Sequence, residues 1–225
     1  MNALDVKKVL LENEVEYLYH VNTVATSLSY INNGGLFSRG AAAELNLVQT
    51  PQTSDASDIE LGVYFDVFFD SCDIHSRAKR INDYGPVTFV FGIDVLDNYQ
   101  NYEVKITKSN PIYWTNDMSE EEKYFCDIEE LRENFQYGNF AQEITICCIE
   151  EAINFEHLIE IIIEDPKIEN TTYFNNACKS INNALLCNDI DVPFVVRECS
   201  DKCTCTERYN TVKEGYVYHR FKTKI

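Results

Sequence analysis

Apolar positions recur at helical spacing from the start of the chain, where Leu4, Val6, Val9, Leu10 and Val15 can share one face. This predicts a helix from residue 3 to about residue 16. Tyr17-Leu18-Tyr19-His20-Val21 then has the aromatic and β-branched content of a short strand, and Asn22-Thr23 can cap the next element. Val24, Leu28 and Ile31 return to helical spacing before Gly34-Gly35, which supplies a left-handed stop. The order is strand, helix, glycine turn. Residues 41–59 are small and polar, with Gln49-Thr50-Pro51-Gln52-Thr53-Ser54-Asp55 at their centre, and predict a long loop of the kind that serves as a lid.

Order returns at Leu61-Gly62-Val63-Tyr64-Phe65, and residues 66–80 are compatible with a helix. Gly85 to Ile93 is a strongly apolar strand, and Tyr102 to Ile106 alternates as another. Ser119-Glu120-Glu121-Glu122 is a capped helix start, predicted to run to Phe135. Gln142 to Ile149 is a strand, 154–158 a turn or short helix, and Ile159 to Ile163 a strand. A helix over about 172–186, the segment Val192 to Val196, and an alternating edge strand over 214–221 complete the chain. No internal repeat is present, and the mixed order of strands and helices favours an α+β fold over a doubly wound parallel sheet.

A chain of 225 residues with 45% apolar content supports one sizeable core, or one domain with a C-terminal extension. Nothing approaches the roughly 20 apolar residues of a spanning helix, and the N-terminus lacks a secretory apolar region. The expectation is therefore a soluble, cytoplasmic protein with no membrane partner. A net charge of -18 opposes a broad phosphate-binding surface, although Arg77, Lys79 and Arg80 could line a local basic path. The nine cysteines are expected to be reduced, with Cys147 and Cys148 packed as small hydrophobes in a buried strand. Cys199, Cys203 and Cys205 form the one cluster able to hold a metal. It lacks a second ligand pair at zinc-finger spacing, so no metal is expected there.

Three segments carry candidate chemistry. His20 ends a strand just before a capped helix and the Gly34-Gly35 turn, which suits a cleft; the plain alternative is a half-buried histidine tying strand to helix. Tyr64, in Leu61-Gly62-Val63-Tyr64-Phe65, offers a flat aromatic face, or else belongs to a core strand. Asp73 and His75 come after it as a surface pair. Glu143 opens the apolar run Ile144-Thr145-Ile146, an unfavourable place for a charge unless it edges a cleft. Glu103, before Val104-Lys105-Ile106, is its rival.

In this order the segments resemble the motifs of ADP-ribosyltransferases of the poly(ADP-ribose) polymerase and diphtheria-toxin type, and the stretch through Ile163 is similar to the DNA-modifying toxins called DarT. The resemblance covers about residues 17–165. It implies an ADP-ribosyltransferase-like split, mixed and antiparallel sheet with flanking helices. Residues 1–165 would form the NAD-binding domain, with 166–225 as an extension packed on it. It further implies that His20 bonds the nicotinamide ribose, Val21 grips the carboxamide through its backbone, and Tyr64 stacks on the nicotinamide ring. Thr23, displaced by one position from the family pattern, becomes a capping residue of that NAD-binding wall. Arg39 matches an arginine that comes after the first motif, and Glu143 takes the catalytic carboxylate position.

The function implied is cleavage of NAD at the nicotinamide-ribose bond and transfer of ADP-ribose to DNA or protein, as in a toxin or defence effector with a neutralising antitoxin partner. Two rivals remain. One is an acidic, non-enzymatic interaction protein such as a nucleic-acid mimic, supported by charge alone. The other is an inactive relative that binds NAD or ADP-ribose without turnover.

Overall fold

The computed structural model describes residues 1–167, 172–198 and 202–224. Its strands run in chain order β1 (Tyr17–Asn22), β2 (Gly35–Leu36), β3 (Val67–Phe69), β4 (Val87–Gly92), β5 (Val104–Ile106), β6 (Ile144–Ile146), β7 (Ile153–Asn154), β8 (Leu158–Ile163) and β9 (Phe194–Val196). The main sheet has the order β1-β4-β8-β9. Its first three strands are antiparallel, and β9 adds in parallel beside β8. A second sheet has the antiparallel order β3-β6-β5, and β2 pairs with β7 alone. The architecture is α+β.

β4 is central because its sequence is apolar on both faces: residues Val87 to Phe91 are all buried. At the other edge of the main sheet β1 touches the second sheet through one bridge, in which Tyr19 N–H donates to Asp70 O at 3.0 Å and Asp70 N–H returns to Tyr19 O at 2.9 Å. The sheets part beyond that bridge and leave a cleft. The described residues after 166 contribute to the same core, since Ala177, Ile181 and Leu185 of the helix Thr172–Cys187 share one buried cluster with strand residues such as Phe89 and Ile161.

Helix α1 (Ala3–Glu12) starts at Asn2, whose side chain accepts from Leu4 N–H at 2.9 Å. It buries Val6, Val9 and Leu10 as expected. Leu4 is exposed, and Val15 is buried from beyond the helix, because the left-handed Glu14 redirects the chain. Helix α2 (Val24–Asn32) ends at Gly34, whose φ of 77° only glycine adopts without strain.

Several expectations are corrected. The long loop over 41–59 contains α3 (Arg39–Glu44) and α4 (Asp55–Glu60). In α3 the Ser38 hydroxyl accepts from Ala41 N–H at 3.2 Å, and the alanine run is both helix-forming and small enough to bury. Leu61 to Phe65 is a turn through left-handed Gly62, and the strand is β3, in which Val67 and Phe69 alternate into the core. Of the helix allowed over 66–80 only Ile74–Arg77 forms.

The helix from Ser119 has its capping box but stops at Lys123. Tyr124 instead bridges Thr107, and Phe125 N–H bonds Ile106 O, before Asp127 caps a new helix Ile128–Asn134. The strand through 142–149 is only β6, because Cys147 and the left-handed, exposed Cys148 turn away from it. Residues 214–221 form a helix whose Val217, Arg220 and Phe221 point inward at helical spacing. Among the described residues no helix is long and apolar enough to cross a membrane.

Candidate active site

The cleft between the two sheets narrows to a cavity of about 160 Å³. Its walls come from β1 (Tyr19 to Asn22), β3 with Asp70, the α3–α4 segment, the turn at Asn82 to Tyr84, and the ends of the second sheet at Asn110 and Glu143. Of the sequence-predicted residues, His20, Val21, Arg39 and Glu143 line this cavity, while Tyr64 and Thr23 do not.

The orientation of His20 is fixed on both ring nitrogens. Nδ1 donates to Phe68 O at 2.8 Å, which leaves Nε2 to accept from the Asn22 amide at 2.8 Å. Phe69 packs edge-on against the ring at 5.8 Å. Enclosure by protein pulls the imidazole pKa down to about 4, outweighing the bond to Phe68, and the Arg39 charge acts in the same direction. His20 is therefore a neutral group at neutral pH.

Glu143 immediately precedes β6. Its backbone is clamped by Thr107, whose hydroxyl accepts Glu143 N–H at 2.8 Å and whose N–H donates to Glu143 O at 3.1 Å. The Asn110 amide donates to its carboxylate at 3.2 Å. Burial pushes this carboxyl up to about 8, and the charges of Asp70 and Asp58 add to the shift. Asp70 itself is pushed to about 7, by burial first and then by Asp73, and Asp66 to about 6 by burial, against a hydrogen bond from Cys148 N–H. The rival Glu103 is exposed and bound to the N-terminus and Lys105, each at 3.5 Å, away from the cavity.

Among the described lining residues Arg39 is the only cation. Its guanidinium grips Asp55 at two points, 2.8 and 2.6 Å, and donates to Thr50 O at 3.1 Å. Thr23 sits beneath this wall. Rather than capping α2, its hydroxyl bonds Thr50 at 2.7 Å and Thr26 at 3.2 Å. Tyr64 packs edge-on against Phe65 at 6.3 Å, and its carbonyl accepts from Gly40 N–H at 2.7 Å.

No protein-family model matches the sequence, and no curated protein is significantly similar to it. A solved structure of Thermus sp. 2.9 DarT in complex with ADP-ribosylated ssDNA superposes with a TM-score of 0.51 at 12% identity, covering 82% of this chain and 95% of that one. The chain has the DarT fold. Structures of the same Thermus protein with NAD+ and with carba-NAD+ align over 82% of this chain and 96% of that one, at 12% identity, with TM-scores of 0.48 and 0.47.

On this DarT fold the cleft holds residues that motif reasoning missed. Asp70, Asn82, Tyr84 and Asn110 all reach the cavity from positions outside the named strands and helices, where no periodic pattern marks them. The one available signal was Asn82-Asp83-Tyr84-Gly85-Pro86, a turn sequence directly before the most apolar strand. The surface pair assigned to Asp73 and His75 is corrected. His75 is buried against Glu164 at 2.6 Å, and Asp73 caps the helix Ile74–Arg77 while pairing with Arg197. Cys199 lies outside the described residues.

Proposed function

We propose that this protein is an ADP-ribosyltransferase that cleaves NAD at the nicotinamide-ribose bond and passes ADP-ribose to a nucleic-acid acceptor. One observation carries the reading: neutral His20, within the first strand, and the elevated carboxyl of Glu143, far along the chain, meet at one cavity between the two sheets. The relatedness in fold to a DarT captured with ADP-ribosylated ssDNA supports the acceptor class.

A cavity of about 160 Å³ is below the roughly 300–1,000 Å³ of whole-ligand sites, so it suits the nicotinamide-ribose end, with the remainder of NAD along the open cleft. There His20 Nε2 accepts from a ribose hydroxyl in place of Asn22, and the Val21 backbone faces the carboxamide. Arg39 must exchange Asp55 for the pyrophosphate. Tyr84 and Tyr64 are the competing aromatic partners of the nicotinamide ring, and Tyr84 is the one that lines the cavity.

As the C–N glycosidic bond breaks, its electron pair leaves with nicotinamide, and positive charge develops on the ribose. Ionised Glu143 holds the 2′-hydroxyl and offsets that charge. The acceptor nucleophile then attacks from the opposite face and gives up its proton. The same fold in a toxin setting implies a protein that neutralises it, and we include an antitoxin among its partners.

The test is nicotinamide release from labelled NAD by wild type and Glu143→Gln, with DNA, RNA and protein offered as acceptors. Loss of release with an unchanged circular dichroism spectrum, and label retained on DNA, is expected. A folded variant that releases nicotinamide at the wild-type rate overturns the assignment of Glu143. Label on DNA that is insensitive to salt and to neutralising Arg77, Lys79 and Arg80 overturns a basic DNA path along that segment.

A further inference from the structure

Away from the cleft, the segment after β3 meets the C-terminal tail at a buried polar cluster. His75 is buried in the short helix Ile74–Arg77, and its Nε2 lies 2.6 Å from Glu164 Oε1. Glu164 is itself only 2% exposed, and its second oxygen accepts from the Tyr209 hydroxyl. The other ring nitrogen of the imidazole is directed toward the tail, where Cys203 Sγ lies 3.4 Å from Nδ1. Cys205, buried at the start of the helix Cys205–Thr211, completes the group: ligand atoms of His75, Cys203 and Cys205 all lie within 4.8 Å of one another. Thr204 between the cysteines is pinned to the His75 segment, its N–H donating to Lys79 O at 2.9 Å.

We propose that His75, Cys203 and Cys205 bind a zinc ion that staples the C-terminal tail to the segment beside the cleft. Geometry comes first. Around tetrahedral zinc, bond lengths of about 2.3 Å to sulfur and about 2.0 Å to nitrogen place a sulfur and a nitrogen ligand roughly 3.5 Å apart and two sulfurs roughly 3.8 Å apart. The 3.4 Å between Cys203 Sγ and His75 Nδ1 matches the first separation, and the separations to Cys205, within 4.8 Å, would close by up to about 1 Å around the ion.

The surroundings of the histidine are the second argument. A metal-bound imidazole characteristically gives its other N–H to a carboxylate, which fixes the ring and strengthens the ligand nitrogen. Glu164 stands in that position, locked in turn by Tyr209. The donor set is the third, because two thiolates and an imidazole select zinc over magnesium or calcium. Binding releases the two thiol protons to solvent, so affinity rises with pH.

The site escapes a spacing rule because its ligands lie far apart along the chain. Cys203-Thr204-Cys205 has no histidine pair at zinc-finger spacing, and His75 precedes it by more than half the protein. An ion there joins the tail to the segment that begins with Asp70, and bridging so long a loop restricts the unfolded chain. The proposal is independent of the transferase reading.

The experiment is metal analysis of the full chain, purified under reducing conditions without chelator. About one zinc per chain is expected, with cobalt substitution giving the thiolate charge-transfer absorption of a tetrahedral site. Cys203→Ser/Cys205→Ser and His75→Gln should lose the zinc, and Cys187→Ser should keep it. Because the zinc content and cobalt spectrum of the wild-type chain need no variant, a misfolded mutant leaves the test intact. Wild-type protein without stoichiometric zinc and without thiolate-to-cobalt absorption overturns the proposal. So does a Cys203–Cys205 disulfide in the reduced preparation, or a folded double-serine variant that retains its zinc.

Discussion

Arg39 and Asp55 form a two-point ion pair, Nε to Oδ1 at 2.8 Å and Nη2 to Oδ2 at 2.6 Å, between the first residues of α3 and α4. The pair engages the cavity's only described cation with an internal carboxylate. In the proposed mode of NAD binding, the pyrophosphate competes with Asp55 for it.

Removing either partner should therefore shift NAD binding in opposite directions. Charge-assisted hydrogen bonds are worth about 1.5–3 kcal/mol, so Arg39→Ala should weaken NAD binding by roughly tenfold or more in calorimetric titration. Asp55→Asn should tighten it. If Asp55→Asn weakens binding as much as Arg39→Ala, the pair is a structural clasp and Arg39 makes no contact with phosphate.

Glu143 gives activity and stability opposite dependences on pH. In the proposed reaction Glu143 acts ionised, and nicotinamide release should then rise through about pH 8. Asp70→Asn removes the leading neighbouring charge and should move that rise to lower pH. For stability, the folded pKa lies above the ordinary 4.5, so the folded state holds its proton more tightly, and this group's contribution falls as pH climbs from about 4.5 to about 8. Glu143→Gln should therefore raise Tm at pH 8, by about 2–4 °C for each kcal/mol regained, with the gap closing toward pH 5. A pH-independent difference in Tm would rule out this linkage.

The ease of reading varied with how local each determinant is. β1, α2 and the Gly34 stop were legible because their apolar spacing and caps lie within one short window. β4 was legible because a central strand is apolar on both faces. The helix over 214–221 was missed because Tyr216 and Tyr218 mimic alternation, while the deciding contact is tertiary: Arg220 reaches the carbonyls of Asn82 and Asp83. Tyr124 likewise leaves its helix to pair with Thr107. At the cavity, His20 and Glu143 stood out as polar residues beside apolar runs, whereas Asp70 and Asn110 lie just outside the named elements, at positions that only the folded chain brings together.

The bonds to Phe68 and Asn22 specify the Nδ1–H tautomer of His20. With its pKa near 4, one of the chain's four histidines should stay neutral at pH 5 in long-range proton–nitrogen correlation spectra, and that signal should vanish in His20→Gln. A His20 ring that protonates near pH 6.5 would contradict this environment.

Gly85 lets β4 begin directly against the end of β1. A Cβ there would lie 1.9 Å from Asn22 O and 2.4 Å from Thr23 N, so backbone would have to move. Gly85→Ala should destabilise by about 1–3 kcal/mol, the usual cost of overpacking, visible as a lower denaturation midpoint. Because the displaced residue is Asn22, the His20 tautomer signal should shift as well. A variant with wild-type stability and an unmoved signal would mean that the contact relaxes elsewhere.

Tyr84 and Tyr64 compete for one role. Tyr64 carries the motif position but packs against Phe65 outside the cavity lining. Tyr84 lines the cavity that Glu143 also lines, and its hydroxyl is pushed to about 12 by burial and then by the charge of Glu143. Aromatic stacking is worth about 0.5–1.5 kcal/mol, so loss of the ring that holds nicotinamide should cost roughly two- to tenfold in kcat/KM. Tyr84→Ala should show that loss, whereas Tyr64→Phe, which keeps the ring and its packing, should not. The decisive comparison is Tyr84→Phe with Tyr64→Leu: preserved activity in the first and only a fall in Tm in the second assigns the stacking face to Tyr84. The reverse pattern returns it to Tyr64 and requires the turn at Gly62 to move when NAD binds.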